Sequence, residues 1–436
     1  MTMTAPRRPD KKKRIVFTTW GSFGDLHPYM ALAAELQRRG HCCVIATSNI
    51  YKEQIEAAGI GFHLIGPDLP PPGSAEVAAI VRRVSGRWDG PAYVFRELLM
   101  PHIRQNYEDA LAAVTTGRAD LLISHQVPLT GRILAEVTGV KWISAVLMPI
   151  AFASAYDPPT PPQFTALRPV LALHPWIARS AMGLGKWTMR AWVEPLQKLR
   201  EELRLARSPH PIFEGQHSPR LVLALFSKLM SDMKPDFPPQ AKITGFPFYD
   251  EPDEQPSSSL VKFLESGEPP ILFTLGSSLV RTAGDFYRVS IEAAKRLGKR
   301  AILLVGDMQN VPDHLPDGIA AFEYAPHDQV MPHSCVIVHP SGVGTTAQAL
   351  RAGKPMLLVP HGQDQPDNAR RCVELGVARS LDLGDYKVER VVEELGRLLT
   401  DHAYSAKAAE AATVIAAENG THTACDLIER ALETAL

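Results

Sequence analysis

Residues 338–346 read Val-His-Pro-Ser-Gly-Val-Gly-Thr-Thr, with Gly342, Gly344 and Thr345 between an apolar strand-like run and a helical stretch. Small residues at such a junction leave backbone N–H groups and the positive end of a helix dipole open to one spot, which suits an anion. A diphosphate fits that cradle. Beyond the next strand, Asp364 and Gln365 offer two acceptors and a donor side by side, better matched to the vicinal hydroxyls of a sugar than to a metal. Near the other end, the turn Gly21-Ser22-Phe23-Gly24-Asp25 sets a carboxylate ahead of a helix, and an imidazole follows at His27. Asp25 is suited to act as a general base and equally suited to N-cap the helix that Pro28 is expected to open; the two roles are compatible. The turn is not G-x-G-x-x-G, and the next strand ends in Ser48 and Asn49 without an acid, so a nicotinamide cofactor is not expected.

The elements that must hold these residues alternate. Ile15 to Thr19 is a short β-branched run, and Tyr29, Leu32, Ala33 and Leu36 then recur at helical spacing until Gly40. With His41 to Thr47 as the next strand, the chain opens on a βαβ unit, and therefore on a parallel sheet with a right-handed crossover. The carboxyl end of the first strand, where Asp25 lies, faces the ligand crevice in such sheets. Pro and Ser crowd residues 235–259, and beyond them the βα alternation restarts at Ile271 to Leu275. We expect a basic tail over 1–13, a first α/β domain over 14–238, a second over 239–400, and terminal helices over 401–436 that pack back toward the first domain. Residues 158–210 break the rhythm with Pro158, Pro159, Pro161 and Pro162, then with Trp176, Trp187 and Trp192 among Arg and Lys. These tryptophans either pack the insertion onto its own domain or touch a lipophilic ligand.

Composition narrows the function. The 436 residues carry 46 Lys plus Arg against 47 Asp plus Glu, a formal charge of −1, so no whole-surface field draws the protein to nucleic acid or anionic lipid. No apolar run approaches the roughly 18 residues that cross a bilayer, which leaves peripheral membrane contact open. Five cysteines without a C-x-x-C pair indicate reduced thiols, neither a disulfide framework nor a zinc site. A cytoplasmic protein acting on small molecules is expected.

Together the glycine-rich turn, the Asp364-Gln365 pair, the opening GSFGDLHP, the junction ITGFPFYD, the turn LGSS and Tyr324-Ala325-Pro326-His327 resemble the inverting UDP-glycosyltransferases of GT-B fold, particularly their bacterial sterol, macrolide and rhamnosyl branch. The resemblance spans nearly the whole chain. It implies an α/β protein of two doubly wound Rossmann-like domains facing across a cleft. It puts Asp25 at the catalytic-base position, with His27 orienting the loop or touching a substrate. It implies donor contacts from Gly24, from Gly276, Ser277 and Ser278 to the diphosphate, from Tyr324 and Ala325 to the base, and from Ser341, Gly342, Gly344 and Thr345. Asp364 with Gln365 would grip the sugar. The family's phosphate-contacting His aligns with Pro340, leaving His339 one place early, and its ribose-binding Glu aligns with Gln348. Where some relatives hold an acidic partner for a His base, this chain has Ser124 and His125; a carboxylate with an ordinary pKa of about 3.9 is ionised at neutral pH and needs no such partner.

The implied reaction moves a hexose from a UDP-sugar, UDP-glucose first, to a hydroxyl of a lipophilic acceptor, without metal or bound cofactor. The alternatives are a dTDP-sugar transferase of the rhamnosyl type, a sugar-nucleotide epimerase, and a catalytically silent sugar-nucleotide-binding module.

Overall fold

A computed structural model describes residues 12–71, 73–250 and 256–433. Apart from Lys12 and Lys13, the expected basic tail lies outside them. Among the described residues the short apolar runs form thirteen strands, all paired in parallel, and the central ones are buried on both faces, which is why they read as continuous hydrophobic stretches.

The first sheet has the order β3-β2-β1-β4-β5-β6-β7. Its strands are β1 (Arg14–Thr18), β2 (Cys42–Thr47), β3 (Gly61–Leu64), β4 (Leu121–His125), β5 (Lys141–Val146), β6 (Val222–Ala224) and β7 (Ala241–Ile243). The second has the order β10-β9-β8-β11-β12-β13. It comprises β8 (Ile271–Thr274), β9 (Ala301–Leu304), β10 (Ile319–Phe322), β11 (Val336–His339), β12 (Met356–Leu358) and β13 (Ala378–Ser380). The protein is therefore a pair of doubly wound α/β domains. The helices used below are α1 (Phe23–Arg38), α2 (Ala75–Val84), α3 (Pro175–Met189), α4 (Gly276–Leu279), α5 (Val343–Ala352), α6 (Gln365–Glu374), α7 (His402–Ala417) and α8 (Gly420–Glu433).

The strand order reverses between β1 and β4 in one sheet and between β8 and β11 in the other, and such switch points open crevices at the strands' carboxyl ends. The two crevices meet: a Cβ placed on Gly344, in the first turn of α5, would lie 3.5 Å from the Gly24 Cα in α1.

Three expectations are corrected. The first domain does not stop at residue 238, because β7 hydrogen-bonds to β6 and completes the first sheet. Of the two terminal helices, α7 packs on α5 in the second domain, and only α8 crosses to α1, where Ala424, Cys425 and Ile428 join a core with Leu32 and Leu36. Arg39 clamps that crossing through Asp426 at 2.6 Å and Glu429 at 2.8 Å. The first helix begins at Phe23, five residues ahead of Pro28, because Ser22 and Asp25 close its first turn; Ser22, not Asp25, is the N-cap. Pro28 then has no N–H to offer the Gly24 carbonyl one turn earlier.

Candidate active site

Asp25 is fixed by its own loop. Its Oδ2 accepts the Ser22 backbone N–H at 2.7 Å and the Ser22 hydroxyl at 3.1 Å, the reciprocal half of a capping box. Gly21 is required by that arrangement: at φ +141° any side chain is strained, and a Cβ would sit 2.3 Å from Asp25 Oδ2. Tyr51 Oη donates to the Gly21 carbonyl at 2.7 Å and pins the loop from outside.

Only 24% of the Asp25 side-chain surface is exposed, and burial pushes its pKa up to about 6, against the opposing hydrogen bonds from Ser22. The ordinary carboxylate value expected from sequence is therefore corrected. Behind Asp25 stands fully buried His125, its Nε2 3.7 Å from Oδ1, too far for a hydrogen bond. Burial drives that imidazole down to about 3, so His125 is neutral and contributes no charge to the carboxylate. Ser124 is taken up in the core, where its Oγ accepts from Trp142 Nε1 at 2.8 Å.

His27 does not join Asp25. Two residues apart on a helix, their side chains diverge by roughly 200°. The imidazole packs between the rings of Phe23 and Tyr249, at 5.3 and 5.6 Å between centroids, and lies close enough to His327 to help burial hold that group at about 4. Its position is that of a packing residue between the domains.

Across the cleft, α5 starts at Gly342 with no side-chain cap, leaving its first N–H groups unclaimed by any cap. A Cβ on Gly276 would lie 3.4 Å from Thr345 Oγ1, so the turn into α4 borders the same opening, and Ser277 and Ser278 in α4 are exposed. Two expected donor contacts turn inward instead. His339 is fully buried, its Nδ1 accepting the Ser341 N–H at 3.1 Å and its Nε2 lying 3.3 Å from the Met356 sulfur, so it shapes the turn and offers nothing to a ligand. Ser341 adopts φ +65°, and its hydroxyl donates to the Gln365 carbonyl at 2.8 Å, tying the α5 turn to α6.

Asn368, which sequence reasoning left without a role, bridges the two motifs by donating to the Ser341 carbonyl at 3.0 Å and to Asp364 Oδ2 at 2.6 Å. The Gln365 Oε1 already accepts the His361 N–H at 2.8 Å, so only its amide N–H groups remain for a substrate. Asp364 is pushed up to about 7, by burial first and then by the charge of Asp25. Tyr324 exposes 63% of its surface on the loop after β10, while Ala325 is buried. The Gln348 Oε1 is buried with no hydrogen-bond partner among the described residues, an acceptor awaiting a donor.

Contacts between the domains flank α6, and only the assembled fold reveals them. Gln363 Nε2 donates to the Val84 carbonyl at the end of α2 at 2.7 Å. Asp367, fully buried, accepts from Arg371 at 2.7 Å and from the Thr160 N–H at 3.1 Å, and Arg371 also pairs with Asp157 at 2.6 Å.

A carboxylate must be ionised to accept a proton, so if Asp25 serves as the base its raised pKa sets the sign of the pH response, with activity expected above about 6 and lost below it. We expect kcat/KM to fall about tenfold per pH unit below 6 and to level off above 7, the two steps belonging to the Asp25–Asp364 pair jointly. His27→Ala should keep that limb. A profile flat down to pH 5, or a limb lost with His27, would remove Asp25 as its source.

Comparison with known proteins agrees with this architecture. The glycosyltransferase family 28 N-terminal domain is matched over residues 15–156. The erythromycin biosynthesis protein CIII-like C-terminal domain is matched over residues 292–429. The chain is 30% identical over 430 residues to the O-mycaminosyltylonolide 6-deoxyallosyltransferase of Streptomyces fradiae, covering 97% of this chain and 98% of that protein. It is 26% identical to a sterol 3-beta-glucosyltransferase of Arabidopsis thaliana, covering 99% of this chain and 70% of that one. Among solved structures, the glycosyltransferase of kitacinnamycin superposes with a TM-score of 0.74 at 20% identity, covering 97% of this chain and 99% of that one. The glycosyltransferase VinC in complex with dTDP superposes with a TM-score of 0.68 at 19% identity, covering 96% and 99%. With both domains matched in order and a relative aligned end to end, the chain belongs to the GT-B glycosyltransferases and is a glycosyltransferase enzyme.

Proposed function

We propose that this glycosyltransferase moves a hexose, with inversion, from a pyrimidine diphospho-sugar to a hydroxyl of a lipophilic acceptor, with Asp25 as general base. The observation that carries the reading is the approach of the two domains at one cleft, where Gly344 at the uncapped start of α5 faces Gly24 beside Asp25, and Asn368 ties Asp364 to the same α5 turn. Asp25 takes the acceptor's proton as its oxygen bonds to the anomeric carbon. The bond from that carbon to the diphosphate breaks on the opposite face, and its electron pair leaves with the nucleoside diphosphate. The N–H groups at the start of α5 and the hydroxyls of Ser277 and Ser278 face the charge that develops, each such donor being worth about 2 to 4 kcal/mol in a closed site. No metal ion is needed in this reading, and activity should survive EDTA; loss that Mg²⁺ or Mn²⁺ restores would sink that part.

The relatives named for sterol glucosylation and for macrolide glycosylation support an apolar polycyclic or macrocyclic acceptor. A panel of UDP- and dTDP-sugars against sterol, macrolide and phenolic acceptors, followed by mass, tests the reading, and its failure would be hydrolysis or epimerisation without transfer. UDP-glucose is our first donor. The dTDP complex of VinC favours the second reading, a dTDP-sugar, and Gln348 bears on the choice. An amide accepts one hydrogen bond from a ribose and donates another, so discrimination between UDP and dTDP should stay under about 2 kcal/mol. Gln348→Glu should widen the preference for UDP, and an unchanged UDP-to-dTDP ratio of kcat/KM would show that Gln348 is not at the ribose.

A further inference from the structure

The insertion ahead of β6 presents an apolar face that the fold leaves uncovered. Leu167, Val170, Leu173, Trp176, Leu184 and Trp187 are all exposed, Leu173 by 74%, Trp176 by 61% and Trp187 by 64%. The expectation that these tryptophans pack the insertion onto its own domain is thereby corrected for Trp176 and Trp187. On α3, residues 176, 180, 183, 184 and 187 follow i, i+4, i+7, i+8, i+11 and share one face, whereas Ala178 on the opposite face is buried. Exposed Trp88 belongs to the same region, for Arg87 donates to the Pro162 carbonyl at 2.8 Å and Gln163 to the Trp88 carbonyl at 3.2 Å.

The charge of this segment is one-sided. Between Asp157 and Glu194 the sequence contains Arg168, Arg179, Lys186 and Arg190 and no acidic residue. Arg168 is committed to Asp157 and Glu374, and Lys186 to Glu214. Arg179 and Arg190 have no ion-pair partner among the described residues. On the helical projection Arg179, Lys186 and Arg190 run along one edge of the tryptophan stripe.

An apolar stripe with tryptophans, bordered by cations, is the composition that seats a helix in the headgroup region of an anionic bilayer. A soluble protein partner would be met equally well by the apolar part, so the choice of a bilayer rests on the cationic edge, where Arg179 and Arg190 carry charge that no ion pair within the described residues takes up. The net charge of −1 means that no long-range field supplies the attraction, so the local cations must. We infer that α3 and the turn before it form a membrane-docking surface for anionic lipid bilayers. Arg168 joins this insertion to α6 of the donor domain, so docking would hold the interdomain cleft beside the bilayer, where an apolar acceptor is dissolved. The inference extends the lipophilic-acceptor reading, and vesicle binding is read without turnover, so the two can fail separately.

The test is co-sedimentation of the full chain with phosphatidylcholine vesicles, with and without phosphatidylglycerol, together with tryptophan emission. We expect binding only when phosphatidylglycerol is present, with a blue shift. Trp176→Ser with Trp187→Ser, and separately Arg179→Glu with Arg190→Glu, should each weaken it by about tenfold or more. Turnover of a water-soluble phenolic acceptor should be unchanged in both variants, which shows that they fold. Three results would overturn the proposal: no vesicle binding by the unmodified protein, binding that neither variant weakens, or a dimer in solution that the tryptophan variant dissolves and vesicles do not compete for.

Discussion

Replacing Asp25 with Asn is expected to lower the rate of sugar transfer by about 10² to 10⁴ while leaving nucleotide affinity nearly unchanged. The substitution separates the residue's two roles. An Asn Oδ1 can still accept the Ser22 N–H now held at 2.7 Å, so α1 keeps its first turn. What disappears is basicity, because an amide takes no proton from an acceptor hydroxyl. The N–H groups at the start of α5 lie on the other domain and are untouched, so a UDP titration should return the same Kd. Stability should hold or rise slightly, since an amide is cheaper to enclose than a carboxylate whose pKa burial has already raised. The variant also removes the charge that helps hold Asp364 at about 7, so any residual limb in the pH profile should move toward lower pH. Retention of more than a third of the activity would take the base role from Asp25 and return attention to His27.

Sequence spacing was informative where the backbone itself makes the site. Gly21, Gly24, Gly342 and Gly344 punctuate strand-to-helix turns, and such turns at switch points place their residues in a crevice whatever the rest of the chain does. It was misleading where a polar residue had two possible partners. His339 and Ser341 sit in the right turn, yet the groups they satisfy belong to their own domain, the Ser341 N–H and the Gln365 carbonyl. Nothing in a one-dimensional pattern distinguishes a hydroxyl turned to a ligand from one turned to a neighbouring loop. The start of α1 was misjudged for a local reason, since Pro is common at the first helical position, but the Ser22–Asp25 pair three residues apart was the stronger signal. The raised pKa of Asp25 was illegible because it depends on how deeply the folded chain buries one side chain. The same holds for the Gln363 and Asp367 contacts, which join residues far apart in the chain.

The second large effect is expected at Asp364. Asp364→Asn should reduce kcat/KM for the nucleotide-sugar by about 10²-fold, from the loss of one or two charge-assisted hydrogen bonds at about 1.5 to 3 kcal/mol each. The substitution is chosen because Asp364 already serves the protein, its Oδ2 accepting from Asn368 Nδ2 at 2.6 Å. An Asn can accept that bond through its own oxygen, so the link from α6 to the α5 turn survives. The sugar, by contrast, meets an amide where it met a carboxylate. With Gln365 Oε1 occupied by the His361 N–H, no neighbouring side chain of the pair supplies the missing acceptor. Affinity for the free nucleoside diphosphate, which has no sugar, should therefore not change, whereas affinity for the intact donor should fall. A donor deoxygenated at the hydroxyl that Asp364 accepts should be nearly indifferent to the substitution, because the interaction is already absent from it. If Asp364 merely holds its loop, the loss will be under threefold, or the free nucleotide will weaken in step with the donor, and no deoxy-sugar will cancel the effect.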